Sequence, residues 1–255
     1  AQLYLKSPDY TYSKSYGFHT YDSLIKVDQD HLYDLASITK TLAATLALMK
    51  LYDENKLKLD DVVSKYLKKL KGSNKKNSNF HELLLHQSGW KPYISHQFSL
   101  IKKNKKLKSR FIDDKKNDNK VELAKNLFVK KKYYNKIFRK IKRSKVKKQG
   151  DYAYSGLFFC LVPEIVEIMS KKSFENFLID EFYSKIGVNL LFNPLKKFPL
   201  DKIVPTEFDK IFRKQLVRGY VHDETAALMG GISGNAGLFG SANDVGKISE
   251  LLLNE

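Results

Sequence analysis

Hydrophobic and polar positions along the chain alternate between two rhythms. The opening LYLKSPDYTYSKSYGFHTY mixes β-branched and aromatic residues with polar ones at a period of two, which predicts two strands around a turn at Ser7-Pro8-Asp9. Residues 28–35 read as a loop leading into a helix that starts near Ser37. From Leu42 to Leu51 the run LAATLALMKL has almost no polar face, so this helix is expected to run through the middle of a domain. Asp53-Glu54-Asn55 ends it, and LKLDDVVSKYL suggests a short second helix capped by Asp60 or Asp61. Residues 80–86 predict another, stopped by Ser88-Gly89.

Further along, Val121, Leu123, Ala124, Leu127 and Phe128 stand at helical spacing. Residues 157–169 form an apolar helix in which Pro163 marks a kink or a later start. Residues 173–182 predict an amphipathic helix, and 190–214, with Pro194, Pro199 and Pro205, an extended loop. Gly230 to Gly240 is glycine-rich. Ser241-Ala-Asn-Asp then opens a last helix with Val245, Ile248, Leu251 and Leu252 on one face.

Composition narrows this picture. At 255 residues the chain can bury a substantial core. Its one cysteine, Cys160, forms no internal disulfide, and no run of 18 apolar residues marks a membrane span. It begins at Ala1 without a methionine or a leader-like segment, as a mature product or an excerpt would. The formal charge of +18 is concentrated in one place. Residues 102–148 carry 21 basic and 4 acidic side chains, against 14 and 10 before them and 11 and 14 after. Such a segment suits an anionic polymer. Yet 18 of those 21 cations are lysine, and phosphate or guanine recognition favours arginine. With no aromatic-interleaved pattern either, nucleic acid is an unlikely partner.

The candidate chemistry begins at Ser37-Ile38-Thr39-Lys40. Residues three apart on a helix share a face, so the Lys40 amine reaches the Ser37 hydroxyl. A partly desolvated lysine serves as a base toward such a nucleophile. Tyr154, in Asp151-Tyr-Ala-Tyr-Ser-Gly156, offers a second proton-shuttling group. Three rival constellations are weaker. His81 and His86 stand five apart, about 140° from sharing a helix face, whereas zinc-binding helices space them four apart. His222-Asp223-Glu224 are consecutive and suit a turn network better than a metal. The glycines of 230–240 lack the Lys-Ser/Thr ending of a phosphate loop and the position of a dinucleotide fingerprint.

The segments YDLASITK, ALMKLYDENKLKLDDVVSKYL, HELLLHQSGW, YAYSG and GYVHDETAALMGGISGNAGLFGSANDVGKISELLLN, in that order, resemble the β-lactamase-related serine hydrolases. Within that group the chain is similar to the class C, esterase and DD-peptidase branch, and in particular to domains fused to family 3 N-acetylglucosaminidases. The resemblance covers most of the chain apart from the basic segment. It implies an α+β fold of β-lactamase/DD-peptidase type, an antiparallel sheet flanked by helices with an all-helical region beside it. One domain would span 1–255, with 1–60 and 220–255 on the sheet side and 61–219 mainly helical. Ser37 would be the acylated nucleophile, Lys40 its base and Tyr154 the proton relay, with Gly156, Asn235 and Gly237 at the substrate. No cofactor or metal is implied. The substrate would be a small molecule or peptidoglycan peptide, the compartment the cell envelope, and an N-terminal glycosidase domain a possible companion.

Three departures from the family pattern stand out. The tyrosine element ends in Gly156 where an amide or carboxylate is usual, and Gly-His-Ala-Gly reads Gly234-Asn235-Ala236-Gly237. The Lys/His-Thr-Gly strand does not occur before Glu255, so the sheet is expected to be incomplete at the C-terminus. A second expectation follows: an inactive scaffold serving as a binding module for anionic envelope polymer.

Overall fold

The computed structural model describes residues 1–254. Strands β1 (Gln2–Lys6) and β2 (Thr11–Ser15) pair antiparallel around the expected turn. Strand β3 (Tyr33–Asp34) leads into the Ser37 turn. A wide π-helical stretch, Lys40–Thr45, then continues into α1 (Leu46–Asp53). Leu42, Ala43, Ala44, Leu46, Ala47, Leu48 and Leu51 are all buried, so this helix is a central post of the core.

Helix α2 (Phe80–Leu84) is capped by the Asn79 side chain, which accepts the Glu82 N–H at 2.9 Å. Next come β4 (Ile112–Asp113), β5 (Lys120–Ala124) and β6 (Leu127–Lys130), in the sheet order β4-β6-β5. They are followed by α3 (Tyr134–Arg143) and α4 (Val162–Ser170), where Pro163 sits harmlessly in the first turn. A helix of mixed winding then runs through α5 (Phe174–Leu178), a π stretch at Ile179–Tyr183 and α6 (Ser184–Ile186). The remaining elements are β7 (Leu191–Phe192), β8 (Glu207–Asp209), β9 (Gln215–Val217), α7 (Glu224–Leu228), β10 (Leu238–Gly240) and α8 (Ala242–Leu253). A full capping box closes Ser241 with Asp244 at the start of α8.

Two local readings are corrected. The apolar spacing of residues 121–128 belongs to the β5–β6 hairpin, because Asn126 takes a left-handed backbone (φ 56°) that turns the chain back on itself. LKLDDVVSKYL forms no α-helix. Asp61 there binds the Lys58 N–H, the Lys65 ammonium and the Tyr66 hydroxyl, and Val62 bridges to Asn79, leaving only short 3-10 turns at Val63–Lys65 and Lys68–Leu70. The stretch 61–219 thus holds α2 to α6 together with six short strands.

The sheet that matters for the site is β3-β10-β7, all antiparallel, with Phe239 opposite Asp34 and Leu238 opposite Phe192. It joins the Ser37 turn to the end of the glycine-rich segment, far along the chain. At its flank α8 lies so close on β1 that a side chain at Gly246 would collide with the Tyr4 ring. No helix among the described residues is long and apolar enough to cross a membrane.

Candidate active site

The turn before the helix is shaped by Asp34. Its carboxylate accepts the Ala36 N–H at 2.8 Å and the His222 N–H at 2.6 Å. These bonds support Ala36 in a left-handed conformation (φ 45°), which swings the next residue outward. Ser37 is accordingly exposed, and its N–H makes no hydrogen bond among the described residues. Burial pushes the Asp34 carboxyl above its ordinary range, against the pull of the two N–H donors. Thr39, fully buried, fixes the other side of the turn by accepting the Leu238 N–H at 3.1 Å.

Lys40 is buried and its ammonium is aimed at Ser37. It donates to Ser37 Oγ at 2.8 Å and to the backbone oxygen of Asn235 at 3.2 Å. Its nitrogen lies 4.9 Å from the centre of the Tyr154 ring and 5.8 Å from that of Phe159. For the Tyr154 phenol, burial alone would raise the pKa. Bonding to Lys40 and Ser37 and the lysine charge outweigh it, and the phenol lies below its ordinary value.

Tyr154 is held by His86. The His86 ring lies 4.6 Å from the Tyr154 ring, its Nδ1 accepts the Ser155 N–H at 3.1 Å, and its backbone oxygen accepts the Ala153 N–H at 2.8 Å. Because Nδ1 accepts, the ring is neutral with its proton on Nε2. Burial, then the Lys40 charge, lowers the His86 pKa and favours that state. Ser155 adds a bond from its hydroxyl to the Lys91 oxygen at 2.9 Å.

The other three residues singled out in the sequence have different fates. A Cβ at Gly156 would stand 3.7 Å from Asn235 Cβ and 4.0 Å from Lys40 Cε, so this glycine borders the lysine and leaves open the space of a longer side chain. Asn235 contributes its backbone oxygen. Its side-chain oxygen is turned inward, accepting from Ser233 Oγ at 2.6 Å and Cys160 Sγ at 3.2 Å. Gly237 (φ 116°) is buried where a Cβ would strike the Gly231 oxygen, so it serves close backbone packing. Thus Ser37, Lys40, Tyr154, Gly156 and Asn235 come together, and Gly237 does not.

The rival motifs resolve as local scaffolding. Asp223 caps α7 by accepting the Ala226 N–H at 2.7 Å, His222 pairs with Glu207 at 3.2 Å, and Glu224 accepts from Gln97 and Tyr93. The supporting role of Asp34 was not singled out in the sequence, since one of its two bonds reaches the His222 N–H 188 residues on; for His86 the family resemblance implied a structural role.

A serine one helical turn before a buried lysine, facing a phenol of lowered pKa, is a known arrangement of acyl-transfer enzymes. Comparison with known proteins agrees, as residues 5–255 match the Beta-lactamase protein family. The chain belongs to that family. A putative D-alanyl-D-alanine carboxypeptidase of Escherichia coli O157:H7 is 30% identical over 279 aligned residues, which cover 99% of this chain and 59% of the relative. The chain therefore spans about three fifths of that relative's length. Among solved structures, the octameric penicillin-binding protein homologue of Pyrococcus abyssi superposes with a TM-score of 0.68 at 23% identity, covering 98% of this chain and 51% of that one. A class C beta-lactamase gives 0.67 at 18% identity, covering 98% and 58%. These likenesses bear out the α+β fold of β-lactamase and penicillin-binding-protein type, and family membership supports serine-hydrolase chemistry in general.

Proposed function

We propose that the protein is a serine hydrolase that forms an acyl-enzyme on Ser37. The observation that carries this reading is the Lys40 nitrogen 2.8 Å from Ser37 Oγ, with Tyr154 against the same nitrogen.

In the proposed cycle Lys40 acts as general base and takes the Ser37 proton along that line as Oγ bonds to the substrate carbonyl carbon. The carbonyl electrons move onto oxygen, where the unused Ser37 N–H is placed to donate. As the tetrahedral intermediate collapses, the bond to the leaving group breaks and the Tyr154 hydroxyl supplies the proton that group needs. The Lys40 ammonium then restores the phenol. Water repeats the sequence on the ester and releases Ser37.

The acyl donor we propose is a peptidoglycan stem peptide, a β-lactam or an ester. The curated relatives' name favours a peptide ending in D-alanyl-D-alanine, and with it work in the cell envelope. The absent side chain at Gly156 leaves room beside Lys40 for a substrate group.

Mass spectrometry after exposure to a fluorophosphonate and to a penicillin tests the proposal. An adduct mapped to Ser37, lost in Ser37→Ala, is the expected result. Labelling that persists in Ser37→Ala, or no adduct on folded protein with either reagent, overturns it.

A further inference from the structure

The basic segment does not spread its charge evenly over the surface. Six cations, Lys91, Arg139, Lys140, Arg143, Lys145 and Lys147, line one groove of about 650 Å³, with Ile94 and Ser144 completing it and no carboxylate in its wall. Arg139, Lys140 and Arg143 share the outer face of α3, whose inner face buries Ile137 and Ile141. None of the six forms an ion pair among the described residues. Lys69, which lies over the Tyr134 and Phe138 rings of α3, does pair, with Glu164 at 2.5 Å, whereas of the basic residues of 102–148 outside the groove only Lys120 is paired, with Asp113 at 2.6 Å.

Lysine-rich composition does not account for this. The chain has five arginines among 46 cations, so an average set of six would hold fewer than one; this groove holds two. Helix C-termini attract cations, but the end of α3 offers only about half a negative charge. Burial, then the charges of Lys136 and Lys108 outside the groove, depress the Lys140 pKa.

The groove also adjoins the acylation site through continuous backbone. Lys147 N–H donates to the Gly89 oxygen, Gly150 N–H to Gln87 and Ala153 N–H to His86, each at 2.8 Å. Ser155 Oγ donates to the Lys91 oxygen, and Gly156 N–H to Pro92 at 3.2 Å. The walls of the groove therefore run directly into Tyr154 and Gly156.

We propose that this groove binds an anionic polymer whose repeating charge is a phosphate and which has no stackable bases, holding it beside the acylation site. Arginine forks suit phosphate oxygens. No aromatic side chain lines the groove, so it lacks the stacking platform that single-stranded nucleic acids use.

The test is isothermal titration of the full chain with inorganic polyphosphate at several salt concentrations. Three forms are compared: the unaltered chain, Arg139→Gln with Arg143→Gln, and a control of equal charge change, Lys102→Gln with Lys103→Gln, at two exposed lysines outside the groove. We expect salt-sensitive binding that weakens about tenfold or more in the arginine variant and less than about twofold in the control. Equal losses in both variants, or no binding at low salt, overturn the proposal. A single-stranded oligonucleotide of matched charge that binds as tightly as polyphosphate overturns the choice of ligand. The result is separable from the acyl-enzyme reading, because Ser37→Ala should bind polyphosphate unchanged.

Discussion

The backbone oxygen of Asn235 accepts the Lys40 ammonium at 3.2 Å, so the amine that faces Ser37 is positioned by a peptide carbonyl 195 residues away. This anchor, together with the Ser37 hydroxyl, holds the nitrogen between two oxygens and over two aromatic rings. If Lys40 is the base, Lys40→Ala should slow fluorophosphonate labelling of Ser37 by about 100- to 10,000-fold. The circular dichroism spectrum should stay native. Undiminished labelling would remove Lys40 from the mechanism.

His86→Ala should act through Tyr154. It deletes the acceptor of the Ser155 N–H and the ring packed on the phenol. We expect kcat for an ester substrate to fall roughly tenfold or more with a smaller change in KM. Protonation of His86 also ends acceptance at Nδ1, so the unaltered protein should lose activity on acidification below the ordinary histidine value of 6.5. In His86→Ala that acid limb should disappear; an unchanged pH profile would reduce His86 to packing.

Asp34→Asn keeps the shape of the side chain but presents an NH2 group to one of two backbone donors. Both N–H donors lie on exposed residues, so losing one of these bonds costs about 0.5–1.5 kcal/mol. Thermal denaturation should register that loss, and Ser37 labelling should slow because the Ala36 turn loosens. A variant as stable and as reactive as the parent would sink this account of the turn.

Gly237→Ala should be costly although it changes one methyl group. Its backbone lies in the left-handed region and the added Cβ meets the Gly231 oxygen. Strain and overpacking together predict a loss of about 2–5 kcal/mol, read by urea unfolding. At Gly17, which has open space around it, the same change should cost only the conformational part.

Stability should fall with acid. His19 and His96 are pushed down to about 4, chiefly by burial, and His31 is lowered for the same first reason. A buried neutral histidine binds fewer protons folded than unfolded between its folded value and 6.5. The stabilisation is therefore complete above pH 6.5 and is lost as pH falls from there toward 4. His19 Nε2 and His31 Nδ1 are 2.7 Å apart, and Arg218 is 2.8 Å from His19 Nδ1, so protonation there brings positive charges together. A melting temperature that is flat from pH 7 to 4 would contradict this.

Much of the site was legible because it is local. Ser37 and Lys40 share one turn, and the apolar run after them called for a buried helix. Tyr154 was placed by motif order, with a pKa expected to fall beside a lysine ammonium, and the fold supplies that ammonium from Lys40. Elsewhere local signals were ambiguous. Val121, Leu123, Ala124, Leu127 and Phe128 satisfy a helical stripe, and only the left-handed turn at Asn126 makes them a hairpin. Asn235 was placed at the substrate by the family resemblance alone, as it stands where Gly-His-Ala-Gly has its histidine. Its side chain is instead engaged by Ser233 and Cys160, a pairing that no spacing rule foretells.

The pairing of β3 with β10 sets an order of events during synthesis. A nascent chain carries Ser37 and Lys40 well before it carries the Asn235 oxygen and the Leu238 N–H, which follow Lys40 and Thr39 by 195 and 199 residues. Over that interval the serine and the lysine exist without the frame that aims one at the other. Ser37 and Lys40 are thus brought to bear on each other late, when the surrounding core is ready to enclose the lysine, and a chain stopped short of β10 carries no assembled site.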